Sequence, residues 1–383
     1  VNSSTGLTDY YQKNPYGQEV TITNVKAKTG YTYTGYTLSG SLTSLSGSTN
    51  TTIKTKLGAG NGAIALKSTI NSYTVTYDKN GGDSVSKASA SVNYNSAIDL
   101  TPTASKSGYE FIGWNTNKNA TTALSSLKMG TSNVTLYAIY KKIVTIPTNA
   151  LCTNPTYNGS SQQLTSVTSG DGYTLSGYSG TNAGSYTVTA SLSGFSRWSD
   201  GTTGNKTLSC SIGKRATTCT SGSSSRAYNG SALTNTTGGS CTNLVSGHSA
   251  TFSGHKGTIT NVGSVANTFG SVAIKNSGGA DISGNYTIAT ANGTLTVTRA
   301  KTATTGSCIN PTYNGSGQAL ASGASNASYS NNSRTESGSQ TVTVTAGSNY
   351  AFSDGQTSKT LSCSIGKRAT TCTSGSSSRA YNG

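Results

Sequence analysis

Seven cysteines, two histidines and eleven carboxylates are the residues here whose types could do chemistry. The cysteines are Cys152, Cys210, Cys219, Cys241, Cys308, Cys363 and Cys372. None forms a CxxC, and neither His248 nor His255 sits at ligand spacing from a cysteine, so the pattern of a metal site is missing. The acids are Asp9, Glu19, Asp78, Asp83, Asp99, Glu110, Asp171, Asp200, Asp281, Glu336 and Asp354, most of them beside Gly, Ser or Asn in turn contexts. Glycoside hydrolysis needs two facing carboxylates, and no repeated pair occurs. Asp78-Lys-Asn80-Gly-Gly-Asp83 resembles a calcium loop on paper, but loop position 12, which needs Glu, is Ser89; a hairpin turn explains the stretch. No phosphate-cradling glycine motif occurs, and no Ser or Cys nucleophile signal surrounds the histidines. These residues predict no catalytic centre, no metal site and no cofactor.

The cysteines acquire an order from the repeat that contains them. Lys206–Gly230 returns letter for letter as Lys359–Gly383, 153 residues on (359 − 206). Cys152-Thr-Asn-Pro-Thr-Tyr-Asn-Gly159 is echoed by Cys308-Ile-Asn-Pro-Thr-Tyr-Asn-Gly315. Such periodicity marks a tandem array, in the order A–B–A–B with the last B cut off. Each A segment has one cysteine near its start and one near its end. This predicts disulfides Cys152–Cys210 and Cys308–Cys363, with Cys219–Cys241 inside B. Cys372 matches Cys219 and is left unpaired by truncation. Disulfides imply an oxidising, extracellular setting, and closing the 152–210 loop should stabilise by about 4 kcal/mol in the chain-entropy model.

The elements that must position these residues are strands. Tyr, Val and Thr alternate along many short stretches, as half-buried strands require, and no sustained helical periodicity appears. The formal net charge of +16 comes from 27 bases against only 11 acids. No Lys/Arg run exceeds two residues, so the concentrated basic face of a nucleic-acid binder is missing; loose attraction to anionic wall polymers or glycans is what this charge supports. No stretch is apolar enough to span a membrane. Both ends fall inside repeat units, so the sequence reads as a piece of a longer chain.

Residues 1–72 read as an imperfect copy of 73–142. Tyr16-Gly17 precedes Gly30-Tyr31-Thr-Tyr33 as Tyr94-Asn95 precedes Gly108-Tyr109-Glu-Phe111, and an aromatic follows in both, Tyr36 and Trp114. Phe111, Ile112 and Trp114 are expected core anchors. The motifs YTVTYDKNGG, GYEFIGWNTN and NVTLYAIY, within Tyr73–Tyr140, resemble the Listeria–Bacteroides repeat, the B-repeat of internalin-type surface proteins; Tyr140 stands where that pattern usually has Trp. The resemblance implies a small β-grasp-like fold on a bacterial surface. Residues 144–383 resemble bacterial Ig-like surface repeats, through YNG near each start, the strands Gly184–Thr189 and Gly284–Ile288, and Gly293–Thr298 at the end.

The expected fold is therefore all-β, with a minor helix allowed in the β-grasp-like parts, as an elongated tandem array of β-grasp-like and Ig-like sandwich segments. Its divisions are 1–72, 73–143, 144–213, 214–301, 302–366 and 367–383. The expected function is a non-catalytic stalk or fibre of an extracellular bacterial surface protein, with a role in adhesion. Cell-wall polymers, glycans, host surface proteins or further copies of itself are the expected partners. The alternatives are dedicated glycan- or host-protein-binding modules, or accessory repeats of a larger secreted enzyme.

Overall fold

Alternation decides how these strands lie. In Ser72–Asp78, Val75 and Tyr77 are buried while Thr74 and Thr76 are exposed, the two-residue period of a strand with one wet face. A computed structural model describes residues 15–375, 378, 379 and 381. Asp9 and the opening of the 1–72 segment lie outside the described residues, as does part of 367–383. Strands dominate, and no α-helix occurs among the described residues; Asn149–Leu151 and Ser283–Asn285 are single 3-10 turns. The chain divides into two compact units: Val1–Thr153, Thr165–Tyr178 and Thr187–Cys210 form one, and Asn154–Leu164, Ser179–Tyr186 and Ser211–Gly383 form the other.

In the first unit, Glu19–Thr23 and Tyr31–Ser44 flank the long strand Thr52–Ile70, all antiparallel. Ile53 is fully buried there, and Thr55 beside it donates its hydroxyl to the Thr43 carbonyl at 2.8 Å. The next sheet has the order Ser89–Asn93, Ser72–Asp78, Val134–Val144, with Tyr109–Asn115 on the far edge of Val134–Val144. Its two central strands are parallel and the outer ones antiparallel, the strand order of a β-grasp sheet. The helix allowed for such a fold is absent. The connection 94–108 carries Pro102 and a turn at Asp99, whose carboxylate accepts the Thr101 amide, and it runs extended enough for Ala104–Ser105 to pair with Ser84–Val85. Proline inside this short stretch removes a helix donor and clashes with the preceding turn. Under the sheet lie Val75, Tyr77, Ile98, Trp114, Met129 and Leu136, and the Trp114 ring N–H donates to the Pro102 carbonyl at 2.6 Å.

The two aromatic hairpins of this unit carry the same irregularity. Tyr31–Ser44 slips register against its partner between Tyr33 and Gly35; Tyr109–Asn115 slips between Phe111 and Gly113. The two glycines have φ of +134° and +140°, values that a side chain disfavours. One extra residue in a strand is a β-bulge, which turns the following side chains back toward the same face. This keeps Phe111 and Trp114 together, with ring centroids 5.4 Å apart. Further along, Trp198 is fully buried and its ring N–H donates to the Gly204 carbonyl at 2.6 Å.

In the second unit, Arg215–Ser221 lies between Gly239–Cys241, antiparallel, and Tyr286–Ala291, parallel. Gly293–Thr298 runs parallel to Ser224–Ala227 and antiparallel to Gly263–Asn267. Gly338–Ala346 is the middle strand between Ala327–Ser330 and Ser358–Ile365. The cores are small: Leu233, Leu295 and Val297 form one, and Leu320, Ala321, Val342, Cys363 and Ile365 another. Segments of this size bury a smaller share of their surface than larger domains and are correspondingly marginal.

Candidate functional site

The structure joins Cys152 to Cys210 and Cys308 to Cys363, each with Cα atoms 5.3 Å apart. Cys219 and Cys241 face each other directly in an antiparallel pair and are bonded, Cα to Cα 4.0 Å. Cys372 is exposed and has no disulfide.

Several of the carboxylates are engaged in turns. Asp99, Asp200, Asp281 and Asp354 each accept the backbone amide two residues on. Asp200 also accepts Lys206 at 2.6 Å, and that bond, with those from Thr202, brings its carboxyl down to about 2. Lys359 does the same for Asp354, lowering it too. Asp78 accepts the Asn80 amide at 2.7 Å, and Asn80-Gly81 both have positive φ, a tight turn closed by the Gly82 amide on the Lys79 carbonyl; the strands do not pair directly across it, since Ser72–Asp78 pairs with Ser89–Asn93 and not with Ser84–Val85. No group of three or more His, Cys, Asp and Glu residues that could hold a metal occurs among the described residues. His255 packs against Phe252 and Phe269.

His248 belongs to a different constellation, which is built twice in the second unit. Its frame is a strand that leaves one segment and enters the next. At Gly213 this strand accepts the amide of Tyr157, at 2.8 Å; two residues on, Arg215 lies opposite Tyr286 in a parallel pair. Tyr157 and Tyr286 are thus brought from either side to neighbouring positions, and their rings meet edge to face with centroids 5.6 Å apart, the geometry that aromatic quadrupoles favour. Asn285, beside Tyr286, closes the contact. Its Oδ1 accepts the Ala183 amide at 2.7 Å and its Nδ2 donates to Asn182 Oδ1 at 3.2 Å. The His248 ring contacts both tyrosines, and its Nδ1 lies 2.7 Å from the Tyr286 hydroxyl. Burial, then the Tyr286 hydroxyl, push the Tyr157 hydroxyl up.

The same parts recur at the next crossing. Thr298 accepts the Tyr228 amide at 2.8 Å, and two residues on Ala300 bridges Tyr350 in parallel. The two rings are 5.4 Å apart, again edge to face. Asn349 Oδ1 accepts the Val262 amide at 2.9 Å, and its Nδ2 donates to Asn261 Oδ1 at 3.0 Å. Each crossing therefore has a socket and a plug. The socket is a Tyr-Asn-Gly turn together with a Thr-Asn-Ala/Val-Gly loop: Tyr157 with Asn182-Ala183, and Tyr228 with Asn261-Val262. The plug is the dipeptide Asn-Tyr, 285–286 and 349–350. Such an arrangement performs no bond chemistry; it fixes one segment against the next.

The joint was not among the sequence-based site residues. The signal was present: Thr181-Asn-Ala-Gly-Ser185 and Thr260-Asn-Val-Gly-Ser264 are near-identical, yet each reads alone as a turn, and the plug partner lies about a hundred positions away in sequence.

Residues 73–139 match the Listeria-Bacteroides repeat domain family. The chain is also 34% identical over 121 residues to Internalin H of Listeria monocytogenes serovar 1/2a. That alignment takes in 31% of this chain and 21% of the relative, so the chain spans about a fifth of the protein it matches. Together these likenesses point to a bacterial surface repeat protein.

Proposed function

We propose that this chain is a non-catalytic, extracellular repeat region of a bacterial cell-surface protein, acting as a stalk or fibre and serving adhesion. The observation that carries this reading is the joint itself: two successive crossings use the same plug and the same socket, so segments are set in series by rule. The repeat family at 73–139 and the likeness to an internalin support the surface location. Three disulfides suit an oxidising exterior. The scattered carboxylates, several of them held in turns, favour a scaffold over an enzyme. Cell-wall polymers, glycans or host surface proteins are the partners such a region would meet. Small-angle X-ray scattering tests the reading. Segments in series give a maximum dimension on the order of 150 Å or more, whereas a radius of gyration near 21 Å, that of one compact globule of this length, would sink it.

A further inference from the structure

The second unit carries a third socket, and its occupant can be specified from the two that are filled. Tyr313-Asn314-Gly315 repeats the turn of Tyr157-Asn158-Gly159 and Tyr228-Asn229-Gly230. In all three the asparagine Oδ1 accepts the serine amide two residues on, and the glycine φ is 82° or 83°. The Tyr313 amide donates to Gly366 at 2.9 Å, as Tyr157 does to Gly213. The second half of the socket is Thr335-Glu336-Ser337-Gly338. Gly338, with φ of +132°, opens its strand as Gly184 and Gly263 do at +154° and +150°. Ser337 thus stands where Ala183 and Val262 present their amides, and Glu336 where Asn182 and Asn261 present an acceptor oxygen.

This third socket is braced and open. The Arg334 guanidinium donates to the Glu336 carbonyl at 2.7 Å and to the Ser337 carbonyl at 3.4 Å, so the loop is held without an occupant, which lowers the ordering cost of binding. Beyond Gly366 the chain runs from Lys367 to Gly375 exposed and without sheet pairing. Those residues repeat Lys214–Gly222, and Arg368 takes the place of Arg215, which lies opposite Tyr286.

We propose that Tyr313, Glu336 and Ser337 form a docking surface for the Gly-Asn-Tyr strand of a following segment of the 214–301 type. The Ser337 amide donates to the asparagine Oδ1 of that strand, a Glu336 carboxylate oxygen accepts from its Nδ2, and its tyrosine ring meets Tyr313 edge to face. The carboxylate makes this bond charge-assisted, hence stronger than the amide–amide bond of the other two joints. The inference rests on the serial reading of the chain, though not on its location or on adhesion.

The test extends the chain past Gly383 with residues 231–301 of its own sequence and follows hydrogen exchange at 335–339. Exchange at Ser337 is expected to slow about tenfold relative to the 383-residue chain, the equivalent of one net hydrogen bond. Asn285→Ala made in the appended copy should restore the original rate. Unchanged exchange, with Cys372 bonded to the appended copy of Cys241, overturns the proposal. Should the appended copy fail to form that disulfide, a synthetic peptide of residues 281–291 is titrated against the 383-residue chain instead. Saturable slowing at Ser337, lost when the peptide carries Asn285→Ala, then supports the socket, and no slowing at millimolar peptide overturns it. Extended scattering with an unprotected Ser337 defeats the socket alone, whereas compact scattering defeats the serial reading.

Discussion

Asn285 and Asn349 each satisfy two groups at once, an amide donor on one side and an amide oxygen on the other. Removing the side chain leaves the part-buried Ala183 or Val262 N–H without its acceptor. Asn285→Ala and Asn349→Ala should each cost about 1–3 kcal/mol, read as a lowered urea midpoint with an unchanged slope. Asn158→Ala, which loses only an Asx turn, should cost less. The acids make a separate prediction at this scale. Asp200 titrates near 2 because Lys206 and Thr202 hold its charged form. Its folded value is depressed below the unfolded one, so whatever it contributes is present above the ordinary carboxylate range and fades as pH falls toward 2. Carbon-detected NMR titration should give that midpoint, and Lys206→Ala should move it up toward the ordinary range. A midpoint unmoved by that substitution would remove the lysine from the explanation.

Among the elements, the bulged hairpins offer a comparison within one molecule. Gly35 and Gly113 share a backbone conformation, but their surroundings differ. A side chain at Gly113 would come within 2.6 Å of the Ala123 methyl, while at Gly35 the nearest atom is the Asn50 side-chain oxygen at 3.7 Å. Gly35→Val should therefore cost only the backbone strain, about 1–3 kcal/mol. Gly113→Val should cost that plus about 1–3 kcal/mol of overpacking, which thermal unfolding of the two variants would resolve. The strands themselves were legible. Tyr73, Val75 and Tyr77 alternate with threonine, and Asn80-Gly81 marks the turn. The bulge was half legible, since Gly-aromatic spacing was visible in both copies while the slip needs the partner strand to define it. The absence of a helix at 94–108 agrees with the residues themselves, which show no helical periodicity and carry Pro102; only the resemblance allowed a helix. The joint was least legible. Asn-Tyr and Thr-Asn-Ala-Gly are ordinary turn chemistry, and only the crossing strand brings them together.

Across the whole chain, small cores and sulfur bridges divide the task of stability. Replacing Cys152 and Cys210 together by serine should cost about 4 kcal/mol, and replacing Cys219 and Cys241 about 3 kcal/mol, in the loop-closure account. Equilibrium unfolding of the two double variants orders them, and a larger loss for the shorter loop would argue that native packing around Cys219, fully buried, outweighs loop length. The bridge between Cys152 and Cys210, 58 positions apart, has one more consequence. A chain anchored at one end and pulled at the other lengthens as its folds give way, by about 3.5 Å for each residue released. The residues between these two sulfurs cannot join that lengthening while the bond stands, so roughly 200 Å of contour stays locked under tension. A thiol reductant would release it, turning a tether of fixed reach into a slack one.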